Sequence, residues 1–297
     1  DGQSAAVTVA MTLGDKQLIS KEVKDDYSIS GASHVLALSG LHLGIIYAIF
    51  LFGFNLCKGI PYLNLLVQYH LSDLFVLLLI WLYALLVDFS PSVVRSATMI
   101  TIYSVVGLLN RDKFSLNTLA LTAIILLVVR PQNLWDVGFQ MSFVAVFSIV
   151  LFAPLLYGLF SPKLLQRHWL LRWVWGLATV SVAAQLGTAP LVAFYFGRFS
   201  CYFLLSNFIV IPCATAILYA AVLLLVFFFI PQVQLLVGKA LLFVVGSMNA
   251  ALHWVAHLQG ASIEGLHPNV LQVLLWYVFL FCVWYLFSFF SKRTNLE

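Results

Sequence analysis

The stretch YFLLSNFIVIPCATAILYAAVLLLVFFFI, residues 202–230, contains no Asp, Glu, Lys or Arg. About 20 apolar residues of helix cross a bilayer core of about 30 Å, and this run is longer than that. Comparable runs surround it at roughly 35–56, 71–88, 91–109, 114–130, 134–157, 173–197, 233–258 and 270–290. None shows the period-two alternation of an outer-membrane barrel strand. The expected fold class is therefore all-α, a polytopic integral membrane helical bundle of about nine transmembrane segments. Composition agrees, with 63% of the 297 residues hydrophobic and 9% charged, against about 45–50% and about 25% in a soluble domain. Mean hydropathy is +1.02. A water-soluble globule, a disordered chain and a free nucleic-acid-binding domain are excluded.

Some of these segments are irregular. Between Asp73 and Asp88 the apolar run from Leu74 to Val87 has only 14 residues, about 21 Å of helix, and Pro91 follows. Pro154, Pro190 and Pro212 fall inside other runs. Short or broken helices are tolerated at membrane depth chiefly where backbone is buried in protein or lines a cavity, so the pattern predicts a lumen. No internal repeat supports the two-halves design of a secondary transporter.

Residues 1–33 are the only long polar stretch, and within it Ile19, Val23 and Tyr27 recur at helical spacing among Lys16, Lys21, Glu22, Lys24, Asp25 and Asp26. This divides the chain into an extracytoplasmic amphipathic lead-in, 1–33, and a transmembrane part, 34–297; the lead-in helix lies on the membrane surface or is simply solvated. With nine spans, Lys58, Arg111, Lys113, Lys163, Arg167, Arg172, Lys292 and Arg293 fall on one side and Lys16, Lys21, Lys24, Arg130 and Arg198 on the other. The positive-inside rule then predicts an outside start and a cytoplasmic end, and this topology accounts for most of the formal charge of +4. Cys57, Cys201, Cys213 and Cys282 form no CxxC pair and read as small core residues. The chain opens on Asp1 without a signal peptide, so a portion of a longer protein is expected.

Polar side chains inside apolar runs cost free energy and are site candidates until explained. The first cluster is SHVLALSGLHLG, residues 33–44. Its small residues Ala37, Ser39, Gly40 and Gly44 permit close backbone approach, and His34, Ser39 and His42 share neighbouring faces. A Ser and a His three positions apart, without a visible orienting acid or oxyanion hole, make a weak case for hydrolysis; packing or polar lining is the commoner use. The second cluster is DFSPSVVRSATM, residues 88–99. Ser90 is a candidate N-cap and Pro91 a first helical residue. The helix start, with Ser92 and with Arg95 one turn further in, suits a phosphate; a structural Arg95–Asp88 pair is the bland alternative. The third cluster comprises DVGFQMSF, residues 136–143, and QLGTAP, residues 185–190. Gln140, Gln185, Asn207 and Asn249 either join helices or line a polar path. His253 and His257 are one helical turn apart, a spacing able to bind zinc, but the sequence offers no intervening Glu and no third ligand. No metal and no cofactor are expected. The 15% aromatic content serves lipid contact, the interfacial belt, or base stacking in a lumen.

Three motifs in order, LSGLHLG (38–44), SPSVVR (90–95) and VGFQMSF (137–143), with Gln185 to Pro190 beyond, resemble the membrane competence domain of the ComEC family. The resemblance implies a channel in the bacterial inner membrane that passes single-stranded DNA into the cytoplasm during natural transformation. It also implies an oligonucleotide-binding domain before this region, a cytoplasmic DNA motor as partner, and a nuclease domain, where present, outside it. No HxHxDH-type cluster occurs among the seven histidines, and the chain is not expected to be an enzyme.

On that reading Arg95, Pro91 and Ser92 contact phosphates while Ser39, Gly40, His42, Gln140, Gln185 and Asn207 line or shape the path. No Gly-rich phosphate loop supplies energy. A secondary transporter for an anionic small molecule is the alternative, followed by an intramembrane hydrolase using Ser39 and His42, and by a structural scaffold.

Overall fold

The structure, a computed structural model, describes residues 2–56, 71–109 and 116–294. Cys57, Lys58, Arg111 and Lys113 lie outside the described residues, as do the side chains of Lys292 and Arg293. Helix dominates throughout, as expected. Among the described residues, six helices are long and apolar enough to cross a membrane, and shorter apolar helices occupy Gly40–Gly53, Asp73–Leu86 and Leu116–Val129. Their outward surfaces carry Leu225, Leu236, Phe243 and Leu275, a density of exposed apolar side chains that suits lipid and not water. The protein is a multi-pass membrane protein.

The chain forms two compact units. The first, Asp1–Lys113 with Ile209–Ala261, contains α1 (Gly2–Leu13), α2 (Lys21–Ile29), α3 (Ser33–Leu36), α4 (Gly40–Leu56), α5 (Leu71–Leu86) and α6 (Pro91–Leu108). Most of α11 (Phe203–Val226) and all of α12 (Pro231–Ala256) complete it. Ser20 starts α2 by accepting the Val23 amide at 3.3 Å. The stripe read from the sequence then turns inward: Ile19 and Tyr27 are buried and Val23 packs beside them, in a cluster with Val7, Ala10 and Met11 of α1, Ile217 of α11 and Val245, Met248 and Leu252 of α12. Residues 2–33 thus help build the core of this unit. Tyr27, 1% exposed, donates its hydroxyl to Asn249 Oδ1 at 2.7 Å, which explains one of the two asparagines as a helix tie.

A second cluster in the same unit joins Leu43 and Ile46 of α4, Val76, Ile80 and Ala84 of α5, and Val93 and Ala97 of α6. The turn between α5 and α6 holds Asp88 at φ 54° and Phe89 at φ 46°. Two successive non-glycine residues in the left-handed region cost about 1–3 kcal/mol each. The backbone holds them there, with the amides of Asp88 and Phe89 bonded to the carbonyls of Leu85 and Ala84 at 3.1 and 2.8 Å.

The second unit, Phe114–Phe208 with Ser262–Glu297, contains α7 (Leu116–Val129), a 3-10 turn Pro131–Trp135, α8 (Val137–Tyr157), α9 (Pro162–Arg167) and α10 (Trp169–Phe196). The ribbon strands β1 (Arg198–Ser200) and β2 (Ser262–Glu264) and the helix α13 (Val270–Thr294) finish it. The antiparallel ribbon pairs Phe199 with Ile263 and carries an Arg198–Glu264 ion pair at 2.7 Å; it has no counterpart in the expected elements, being too short to leave a pattern. Asp136 caps α8 through the Phe139 amide, and Asn269 and Gln272 cap α13 reciprocally, each side chain accepting the other's amide at 2.8 Å.

Helices α8 and α10 pack antiparallel and very closely. A Cβ at Gly187 would stand 2.8 Å from Ser148 Cβ and 3.1 Å from Val144 Cγ1. Pro154, Pro190 and Pro212 sit inside unbroken α8, α10 and α11, so proline does not interrupt these helices as expected. The reason is visible at Pro190, which cannot donate to the carbonyl of Leu186. Trp276 Nε1 donates to that carbonyl at 3.0 Å, and Tyr277 OH to the next one, Gly187, at 2.9 Å. Two of the cysteines differ from expectation, Cys201 and Cys282 being exposed, whereas Cys213 is half-buried and packs against the core cluster of the first unit.

Trp276→Phe is expected to destabilise the protein in detergent by about 1–3 kcal/mol, the cost of a carbonyl left without a donor in apolar surroundings. In a Pro190→Ala background, where position 190 regains an amide donor, the same change costs less; a thermal double-mutant cycle measures the difference. Gly187→Leu overpacks the α8–α10 contact and lowers the unfolding midpoint by the equivalent of about 1–3 kcal/mol or more. Phe89→Gly relieves the left-handed strain and raises the midpoint, as unfolding scans on the purified protein will read.

Candidate anion site at two helix starts

The first two sequence clusters meet in the first unit. A Cβ at Gly40 would lie 3.1 Å from Ser96 Oγ, so the absence of a side chain lets the start of α4 close on α6. Further along, Tyr47 OH and Ser104 Oγ are 3.3 Å apart. Residue 40 opposite 96 and residue 47 opposite 104 means that α4 and α6 run parallel. Their N-terminal ends therefore point the same way, and each carries a partial positive charge from its unpaired amides. Helix α5 returns antiparallel between them in sequence, tied to α6 by Trp81 Nε1 donating to Thr101 Oγ1 at 3.1 Å. Gly44, the other small residue of the motif, has open space beside it.

At the head of α4 the Ser39 amide donates to His42 Nδ1 at 3.3 Å, and Ser39 Oγ lies 2.8 Å from the same nitrogen. An amide can only donate, so Nδ1 is the acceptor and the proton of the neutral imidazole sits on Nε2. His42 is 1% exposed, and its Nε2 has no hydrogen-bond partner among the described residues. The result is a buried N–H donor with no acceptor among the described residues, a cost normally offset by a ligand, an ion or water. The Ser39–His42 distance suits a nucleophile and its base, but no acid orients the far nitrogen among the described residues, which leaves the triad logic incomplete.

At the head of α6 Ser90 occupies the N-cap position with φ −50° and ψ 138°, yet its side chain makes no capping bond. Its Oγ is buried without a partner among the described residues. The N-cap expected from sequence is thus present in place and absent in hydrogen bonding; Oγ is left over as a polar group. Pro91 is exposed and Ser92 half-buried. Arg95 is 8% exposed and is already partnered within the chain. Ser96 Oγ is committed to the Ser92 carbonyl at 3.0 Å.

The amides of the third cluster lie in the second unit and do not gather. Gln140 is engaged at both ends of its amide: Nε2 donates to the Leu134 carbonyl at 2.8 Å and Oε1 accepts from Tyr195 OH at 2.7 Å. This ties α8, the 3-10 turn and α10 together. Gln185 is half-buried, ten residues before Tyr195 on the same helix, about 15 Å along the axis. Asn207 Oδ1 is buried without a hydrogen-bond partner among the described residues. A cavity of about 230 Å³ beside Ser148, Phe152 and Tyr277 is apolar and suits an acyl chain better than a charged group. In the first unit, the sequence reading missed Asp26, whose carboxylate meets His253 Nδ1 at 2.8 Å across 227 residues of chain; no local pattern announces such a pair.

The Competence protein family matches residues 11–290. ComE operon protein 3 of Bacillus subtilis is 31% identical over 214 residues, 71% of this chain and 25% of that protein. Recombination protein 2 of Haemophilus influenzae is 25% identical over 224 residues, 74% of this chain and 28% of that protein. An uncharacterized protein of Aquifex aeolicus is 28% identical over 194 residues, 65% of this chain and 41% of its own length. The chain thus spans about a quarter of the first two relatives. No solved structure matches. The three motifs lie within the matched residues, and the chain belongs to the Competence protein family.

Proposed function

We propose that this membrane domain is the bacterial inner-membrane conduit through which a single DNA strand enters the cytoplasm in natural transformation. A role in DNA uptake follows from the family; the conduit is the finer reading. The observation that carries it is the pair of parallel helix starts with polar groups beside them that find no partner among the described residues, Nε2 of His42 and Oγ of Ser90. A strand brings one negative charge per phosphate. Helix N-terminal amides and neutral N–H and O–H donors attract that charge without the deep binding that a lysine cluster would give, and a translocated polymer must leave each contact as readily as it enters. Arg95, buried and partnered, adds positive potential one turn into α6.

In this reading Ser39 orients His42, Gly40 sets the spacing of α4 and α6, and Pro91 and Ser92 present the helix end. Gln140 shapes the path indirectly by tying helices, while Gln185 and Asn207 remain polar positions along the second unit. The motor and the oligonucleotide-binding domain lie outside this chain, and the Ser39–His42 pair binds rather than cleaves.

The test is transformation frequency with marked linear DNA, using the full-length protein in its source organism, with membrane level and surface DNA binding measured in parallel. Arg95→Ala and His42→Phe, at normal membrane level and with DNA binding retained, are each expected to lower the frequency about tenfold or more, the scale of one lost charge-assisted hydrogen bond. Ser39→Ala leaves the amide that holds Nδ1 and lowers it far less; complete loss in that variant alone would instead indicate hydrolysis. Unchanged transformation after complete gene deletion would discard the conduit in favour of a transporter for a small anion.

A further inference from the structure

The polar helix α2 and the end of α12 meet at three side chains with metal-ligating chemistry. Asp26, His253 and His257 each place a ligand atom within 4.8 Å of the others. We propose that they form a binding site for one divalent cation of the zinc class.

Asp26 is 7% exposed, and a buried carboxylate needs a compensating positive charge. The groups that face it are imidazoles: Oδ2 meets His253 Nδ1 at 2.8 Å, and Oδ1 stands 4.0 Å from His257 Nδ1. A carboxylate only accepts, so His253 Nδ1 donates to Oδ2 when no ion is bound; a cation taken up at that nitrogen displaces the proton and uses the lone pair. A bound cation supplies the charge. His253 and His257 are exposed, which leaves an entry path from solvent.

The second-shell arrangement is already in place. His257 Nδ1 lies 2.8 Å from the His253 carbonyl. A carbonyl only accepts, so Nδ1 carries the proton and Nε2 keeps its lone pair, the tethered tautomer typical of metal-ligating histidines. The two rings lie one turn apart with centroids 4.1 Å from each other, close enough to share one ion. Two imidazoles and one carboxylate with open positions suit zinc and its borderline neighbours, and suit magnesium and calcium poorly. Such an ion would clamp α2 to α12 across 227 residues of chain, beside the Tyr27–Asn249 hydrogen bond.

The experiment uses the full chain in detergent, stripped with chelator and titrated with Co²⁺, whose d–d absorption reports ligation directly; Zn²⁺ is then added in competition. One cobalt per chain, displaced by one zinc, is expected. Asp26→Asn and His257→Gln should each weaken binding by more than the roughly 10–100-fold that loss of an outer-shell partner costs, while His267→Gln on the other unit leaves it unchanged. His257 is exposed, so its substitution should leave the size-exclusion profile of the folded protein intact even where Asp26→Asn does not. Zinc should raise the unfolding midpoint of the unaltered protein and not that of His257→Gln. Absence of stoichiometric cobalt absorption, or absorption undiminished in His257→Gln, would overturn the proposal. An unfolding midpoint that shifts between about pH 5 and 8, the histidine range, with no response to zinc would assign the cluster to a plain histidine–carboxylate pair and likewise overturn it.

Discussion

A backbone carbonyl inside hydrocarbon has no water to bond, and the fold answers that constraint at every level. Helix is the first answer, since it satisfies the main chain within one segment. Where proline removes a donor from a helix, a side chain from another helix takes over: the Leu186 carbonyl, left open by Pro190, receives Trp276 Nε1. The same economy of polar partners governs the helix ties, with Tyr27 on Asn249 and Tyr195 on Gln140. Against this background the polar atoms that stay unsatisfied among the described residues are the informative ones, and two of them, on His42 and Ser90, stand at the starts of the parallel helices α4 and α6.

The apolar clusters explain why those starts are held in place. Leu43 and Ile46 pack with Ile80, Ala84, Val93 and Ala97, so α4, α5 and α6 share one interior. The turn that joins α5 to α6 stores left-handed strain at Asp88 and Phe89 directly before Ser90 and Pro91. Strain concentrated beside a site is common where geometry serves function more than stability. In the second unit small residues do the positioning: Gly187 admits Ser148, and the α8–α10 contact fixes Gln140 against Tyr195.

The class of fold and its membrane setting were legible because hydropathy over long windows is a local property of the chain. The motif positions were legible for a similar reason, since small and polar residues in apolar runs stand out one by one. Their pairing was not. Gly40 against Ser96, Asp26 against His253 and Leu186 against Trp276 are separated by tens to hundreds of residues, and a single sequence carries no periodicity linking them. The prolines were misread as breaks because the donor that compensates one of them lies on another helix. The amides of Gln140 and Gln185, grouped by chemistry, are separated by the length of helix between them. The amphipathic stripe at Ile19, Val23 and Tyr27 correctly marks a helix with one apolar face, but what covers that face is α12, a partner no local pattern could name.

The close approach at Gly40 has one more consequence. A helix dipole is built into the backbone, so no proton or metal can switch it off, and its field weakens quickly with distance from the last turn. With a hydrogen atom in place of a side chain at position 40, the start of α4 sits against Ser96, little more than one turn into α6; a side chain there would press on Ser96 Oγ and shift the start of α4 relative to α6. The register of the two helix starts is thus set by steric size at one position, independent of pH, and shifts in small steps with the bulk placed there.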